Sequence, residues 1–204
     1  MLLSPPQRVA LAELVNIGFG RAAASLSALV RQRIQLQAPE VSVYLLQELQ
    51  DHLDFSHPEV ATVHQIFSGE LNGDAMLMID IDGAVNLIGL ITGEPAVIRS
   101  SHLTASDREA LVEVGNILLN AFVGSFGNLL NVHVTFAVPR LRVETVKDFL
   151  HTLQVGQQEI RYVLLVQTRF LVLEGQVEGF VALVMGIESL DKLFEAMEKA
   201  GYQI

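Results

Sequence analysis

The chain has 204 residues, 50% of them hydrophobic, with a mean hydropathy of +0.41, enough apolar material for a sizeable core in one domain or two closely packed halves. Thirteen Lys plus Arg against 23 Asp plus Glu leave a net charge of -10, which argues against nucleic acid or an anionic membrane surface as the main partner. There is no cysteine for a disulfide or a thiolate, residues 1–10 lack the basic-then-apolar pattern of a secretory signal, and no stretch of about twenty residues is free of charged or strongly polar side chains; the cytoplasm is the expected location and no membrane span is expected.

In chain order, Ser4-Pro5-Pro6 predicts a helix start, because Ser caps well and Pro is tolerated in the first turn. The helix is expected to run to about Arg33. Its middle, Gly18 to Ser25, is rich in small residues, and each glycine inside a helix costs about 1 kcal/mol relative to alanine. Either close helix-to-sheet packing repays that cost, or Gly20 lets a partner approach. Val41 to Leu46 alternates as a strand, with Pro39 at its entrance, and Gln47 to Pro58 is a polar connection. Val60 to Glu70 and Asp74 to Asp82 read as an antiparallel hairpin, with Asn72-Gly73 supplying the positive φ of a tight turn. Gly83 to Gly93 is a shorter helix, and Gly93-Glu94-Pro95 closes the first half.

From Ser100 the order repeats. Ser106 to Leu130 is a long helix, Leu141 to Thr145 a strand, and Lys147 to Gln154 a charged, partly helical connection. Two longer strands, Glu159 to Glu174 and Glu178 to Gly186, precede a closing helix from Ser189, its expected cap, to Lys199. Shifting the sequence by one hundred positions superposes the two long helices: Arg8 on Arg108, Glu13 on Glu113, Asn16 on Asn116, Pro39 on Pro139, and ten identities in all between positions 8 and 43. The chain is therefore read as a duplication, a single domain of two repeats at about 4–95 and 104–204. Gly179 matches Gly73 at an offset of 106, so the second copy has grown by several residues. The expected fold is α/β of the α+β type: six strands in one mostly antiparallel sheet, with the two long helices related by a pseudo-twofold axis.

Glu13 and Asn16, like Glu113 and Asn116, are three residues apart, so each pair projects from one helix face. Each asparagine is followed, after twenty-two residues, by Pro39 or Pro139. This repeated pattern resembles the two phosphatase motifs of the CheC, CheX and FliY family and covers nearly the whole chain. The resemblance implies a bacterial signalling protein that removes phosphate from the aspartate of a CheY-like receiver domain. It also implies docking of Glu13 and Glu113 on the receiver's active-site lysine, and credible binding of the receptor deamidase CheD. Without a further carboxy-terminal flagellar-switch domain, the chain looks like a stand-alone CheC.

The chemistry fits the residue types. An aspartyl phosphate is an acyl phosphate whose receiver already brings Mg²⁺ and positive charge, so the phosphatase needs no cofactor of its own and has mainly to place a water in line. A carboxamide can accept from that water with its oxygen, donate to a phosphoryl oxygen with its nitrogen, and does so at any ordinary pH. Glu serves as an anchor, since a docking charge pair gives orientation more than affinity. Four residues before the Glu the family usually has Asp or Ser, whereas this chain has Val9 and Glu109. Both sites are expected to work, with the second favoured.

The competing readings are weaker. The histidines at 52, 57, 64, 102, 133 and 151 show no i, i+4 pair and no neighbouring cysteine, so zinc is not expected. Asp80-Ile81-Asp82-Gly83 lacks the further ligands of a calcium loop, Gly18-x-Gly20 follows no strand, and Ser25 and Ser125 have no base at helical spacing. The remaining rivals are a non-enzymatic adaptor that holds a receiver or CheD with the same helix faces, and a flagellar-switch component.

Overall fold

Two helices of equal length, capped at equivalent positions, organise the molecule, and the computed structural model describes them within residues 3–31, 33–53, 59–93, 102–154, 161–172 and 175–203. Helix α1 spans Pro5–Val30 and α3 spans Ala105–Leu130. Ser4 caps α1 in a reciprocal box with Gln7, and Thr104 caps α3 in the same way with Asp107, each box satisfying two backbone N–H groups. Arg31 and Asn131, again one hundred apart, end the helices in the left-handed conformation at φ 54° and 53°.

The helices pack antiparallel. A Cβ on Gly18 of α1 would lie 2.7 Å from Ser125 Oγ and 2.8 Å from the Phe122 ring of α3, while Glu13, earlier on α1, shares a groove with Leu129, later on α3. Phe19 meets Phe122 edge-on with ring centroids 5.0 Å apart. Gly18 therefore repays its helical cost through close packing, and the packing is against the other helix rather than the sheet.

Between and after the helices lie β1 (Ile34–Leu45), β2 (Glu59–Gly69), β3 (Gly73–Asp80), α2 (Ile81–Thr92), β4 (Val134–Phe136), β5 (Arg140–Thr145), α4 (Val146–Gln154), β6 (Arg161–Val172), β7 (Gly175–Gly186) and α5 (Ile187–Lys199). A short 3-10 helix, Leu46–His52, follows β1. The sheet order is β1-β6-β7-β3-β2-β4, with β5 also on β2, and all these pairings are antiparallel. Each half thus hands its first strand to the other half. The two central strands show the pseudo-symmetry directly: a Cβ on Gly73 would strike Val184 O at 2.3 Å, and one on Gly179 would strike Met78 O at 2.8 Å. Both equivalences carry the offset of 106 expected from the sequence.

The sheet has seven strands where six were expected, because the first strand of the second half is broken. Between Phe136, opposite Phe67, and Arg140, opposite His64, β4–β5 holds one residue more than β2. Pro139 lies in this interval and has no N–H to give the ladder. Strand β1 shifts register by one residue at the matching place, between Gln37 and Glu40, yet runs through it, so it begins seven residues before the expected Val41.

Two other expectations need correction. The β2–β3 hairpin is present, but Asn72 and Gly73 do not have positive φ; the positive φ is at Gly69, 137°, and Gly73 is needed for the approach to β7. Ser189 does not cap α5, which starts after Gly186; it is buried, and its Oγ accepts from Asn72 N at 3.2 Å, tying the hairpin to the helix. The expected boundaries at Pro58, Glu94-Pro95, Ser100, Glu159 and Glu174, and His57, lie outside the described residues.

Both sheet faces are covered. Helices α1, α2, α3 and α5 bury one face with Leu164, Val166, Leu77 and Val181, and α4 with the 3-10 helix buries the other through Phe149, Leu150, Leu46 and Leu49 against Met76, Met78 and Val163. Double coverage explains why β3 and β7 are apolar almost throughout rather than alternating. By length and hydropathy α1 and α3 could cross a bilayer, but each has about half of its most apolar window buried against the rest of the protein.

Candidate functional site

Burying one flank of α1 and α3 in the core leaves the opposite flank to solvent. Leu11, Leu14, Val15 and Gly18 point inward from α1, and Glu13 and Asn16 point outward; on α3, Leu111, Val114, Gly115 and Leu118 point inward, Glu113 is exposed and Asn116 is half-buried. Because the helices run antiparallel and Leu129 lies beside Glu13, the two Glu–Asn pairs are near opposite ends of the helix pair. The sixteen steps along the helix from Glu113 to Leu129 rise about 24 Å.

The first pair stands free. Among the described residues no side chain hydrogen-bonds Asn16 or forms an ion pair with Glu13. One turn beyond Asn16, Gly20 is exposed and a Cβ there would touch nothing within 4 Å. One turn before Glu13, Val9 is 70% exposed. Glu13 and Val9 border a groove of about 580 Å³ completed by Leu129 and the carboxy-terminal residues Ala200 to Gln203. Tyr202 sits close enough that its phenol is pushed above the usual range, by loss of solvent and by the Glu13 charge.

In the second pair the asparagine is tied down. Asn116 Oδ1 accepts from Asn120 Nδ2 at 2.9 Å and, more weakly, from Gln65 Nε2 at 3.4 Å. Gln65, on β2, is 1% exposed and also donates to Ala137 O at 2.9 Å, inside the break that contains Pro139. The fit requires α3 to lie close to β2, which Gly115 permits: a Cβ there would lie 2.5 Å from the Val63 side chain. Position 15 of α1, its counterpart, is a buried valine, and position 20 is glycine where α3 has Asn120.

Sequence reasoning missed Gln65, Asn120 and Tyr202. It also gave no role to His64, whose Nε2 is 2.8 Å from Asp74 Oδ1, while Arg161 pairs with the other oxygen of the same carboxylate. Burial alone would raise the Asp74 pKa, but hydrogen bonds and charge from His64 and Arg161 outweigh it and hold the carboxyl below its ordinary value. This cluster joins β2, β3 and β6 on the α4 side of the sheet, where His64 meets the Phe149 ring, away from the Glu–Asn pairs. Asp80 and Gly83, in the segment resembling a calcium loop, form the cap of α2, with Asp80 Oδ1 accepting from Gly83 N.

No family model matches the sequence. The chain is 24% identical over 159 residues to "CheY-P phosphatase CheC" of Bacillus subtilis, covering 74% of this chain and 75% of that protein. It is 23% identical over 158 residues to "Flagellar motor switch phosphatase FliY" of the same organism, covering 78% of this chain but only 41% of FliY. The crystal structure of Thermotoga maritima FliY superposes with a TM-score of 0.79 at 20% identity, over 98% of this chain and 100% of that one, which shows a shared fold. The chain is homologous to CheC and FliY, and its fold is theirs.

Proposed function

We propose, from this homology and from the two helix faces, that the chain hydrolyses the aspartyl phosphate of a CheY-like receiver domain in the cytoplasm. The observation that carries the reading is the presentation of Glu13 and Asn16 together, exposed and unengaged, on a helix whose packing face points the other way, and the recurrence of the pair as Glu113 and Asn116 on α3. An acid and an amide one turn apart on a convex helix suit insertion into another protein's pocket.

In the mechanism Glu13 pairs with the cationic side chain beside the phosphorylated aspartate and sets the helix in register. Asn16 then lies one turn further along, where its oxygen accepts from a water and its nitrogen donates to a phosphoryl oxygen, holding the water opposite the P–O bond that breaks. The water oxygen forms the new bond to phosphorus, the aspartate oxygen leaves with the bonding electrons, and inorganic phosphate departs. The receiver's own Mg²⁺ and lysine neutralise the transferred group, so this chain adds position rather than charge. Positioning of one water by one amide supplies on the order of 10² in rate, about 2.7 kcal/mol.

Gly20 supports the same face. It has lost helix propensity of about 1 kcal/mol relative to alanine without any packing return inside the molecule, as a surface shaped for close approach would. The test is to incubate the protein with a purified, phosphorylated CheY-like receiver and follow phosphate loss. Faster loss than from the receiver alone supports the assignment; binding without acceleration selects an adaptor instead.

A further inference from the structure

The polarity of the amide network at the second pair is set by a group that cannot be reversed. Ala137 contributes a backbone carbonyl, which only accepts, so Gln65 must present its NH₂ there. The same NH₂ faces Asn116, which must answer with its oxygen, and Asn120 must also turn its NH₂ towards that oxygen. Reversing Asn116 would bring its NH₂ against that of Gln65, which the Ala137 carbonyl holds in place. Asn116 is thereby held with Oδ1 inward, both acceptor directions taken, and with its Nδ2 hydrogens as the part left to offer. Asn16 has no such restraint.

Resting on the phosphatase reading above, we propose a division of labour: Asn16 serves the hydrolytic site, whereas Gln65 and Asn120 position Asn116 as a donor-only grip for the phosphoryl oxygens of a receiver that is bound there and turned over slowly. The asymmetry opposes the one expected from Glu109. It traces to three differences between the copies: Gly115 against Val15, Asn120 against Gly20, and the Ala137 carbonyl exposed to Gln65 by the break at Pro139.

Single-site enzymes decide it, using a CheY-type receiver that the wild-type chain dephosphorylates. N16A should cost most of the turnover, on the order of 10-fold or more as for loss of one positioned donor or acceptor, while N116A should cost clearly less turnover than N16A and show its loss mainly as weaker binding of the receiver. N16A should still bind a receiver activated with beryllofluoride, and N16A/N116A should bind it more weakly. The decisive variant is N120A in the N16A background. Freeing the Asn116 oxygen should raise kcat several-fold above N16A alone, a gain that a merely structural Asn120 would not give, and Ala is a better helix former than Asn, so folding is not put at risk. Equal losses from N16A and N116A, or no gain in kcat from N120A, overturn the division of labour. Full activity in N16A/N116A would instead overturn the phosphatase mechanism itself.

Discussion

Gly18 of α1 lies so close to Phe122 of α3 that a Cβ would approach the ring to 2.8 Å, and Phe122 is fully buried with nowhere to go. Gly18→Ala should therefore overpack the helix contact. After a gain of about 1 kcal/mol in helix propensity, a net loss of about 1–2 kcal/mol is expected in denaturant unfolding. Gly20, two residues on, should behave in the opposite sense.

Gly20→Ala meets open space and should stabilise the fold by up to about 1 kcal/mol. Gly20→Leu should remain folded, because nothing inside the molecule contacts it, yet slow receiver dephosphorylation by obstructing the approach to Asn16. Thermal melts and phosphate release, measured on the same preparations, separate the two effects. A Gly20→Leu chain with wild-type activity would show that this part of α1 does not meet the receiver.

Acid should weaken the sheet through Asp74. Its pKa in the folded chain lies below the ordinary value of 3.8, so in the unfolded chain it takes up a proton first as pH falls. The stabilisation is complete above the ordinary carboxylate range and is lost as pH drops through 3.8 towards the depressed folded value. Asp74→Asn removes this dependence and leaves Arg161 without its carboxylate. Urea unfolding of both proteins should show a stability gap that is wide at neutral pH and narrows in acid.

The Tyr202 phenol should ionise above the usual range, mainly because it is shielded from water and also because Glu13 is near. Glu13→Gln should bring it part of the way back and no further, since burial persists. Ultraviolet titration of wild type against Tyr202→Phe isolates this group from Tyr44 and Tyr162. No change on replacing Glu13 would separate the carboxy-terminal residues from the first site.

Much of this architecture could be read from the sequence because it is written twice. The Glu–Asn pairs and the prolines recur at one spacing, and duplicated signals reinforce one another where a lone Glu or Asn on a helix says nothing; the cap at Thr104, the counterpart of Ser4, emerged only in the structure, where the helix starts one residue before the expected Ser106. The strand content was harder to read. Pro39 looks like a strand entrance, yet the chain passes it at a register shift, and Pro139 breaks its strand in two, because the partner strand rather than local propensity decides whether the ladder resumes. Gln65 carries no local signal at all. It is one polar residue in a strand, and its meaning comes from the close approach of α3 and the carbonyl of Ala137, both set by tertiary packing.

The central claim is that the carboxamides of Asn16 and Asn116 act on a receiver's acyl phosphate. The most direct measurement is the rate of phosphate release from a phosphorylated CheY-like receiver with wild-type protein and with N16A/N116A, alongside unfolding curves for both. The account predicts that the double variant folds as the wild type does while phosphate release falls to the receiver's own spontaneous rate. Acceleration by N16A/N116A equal to that by the wild type would contradict it.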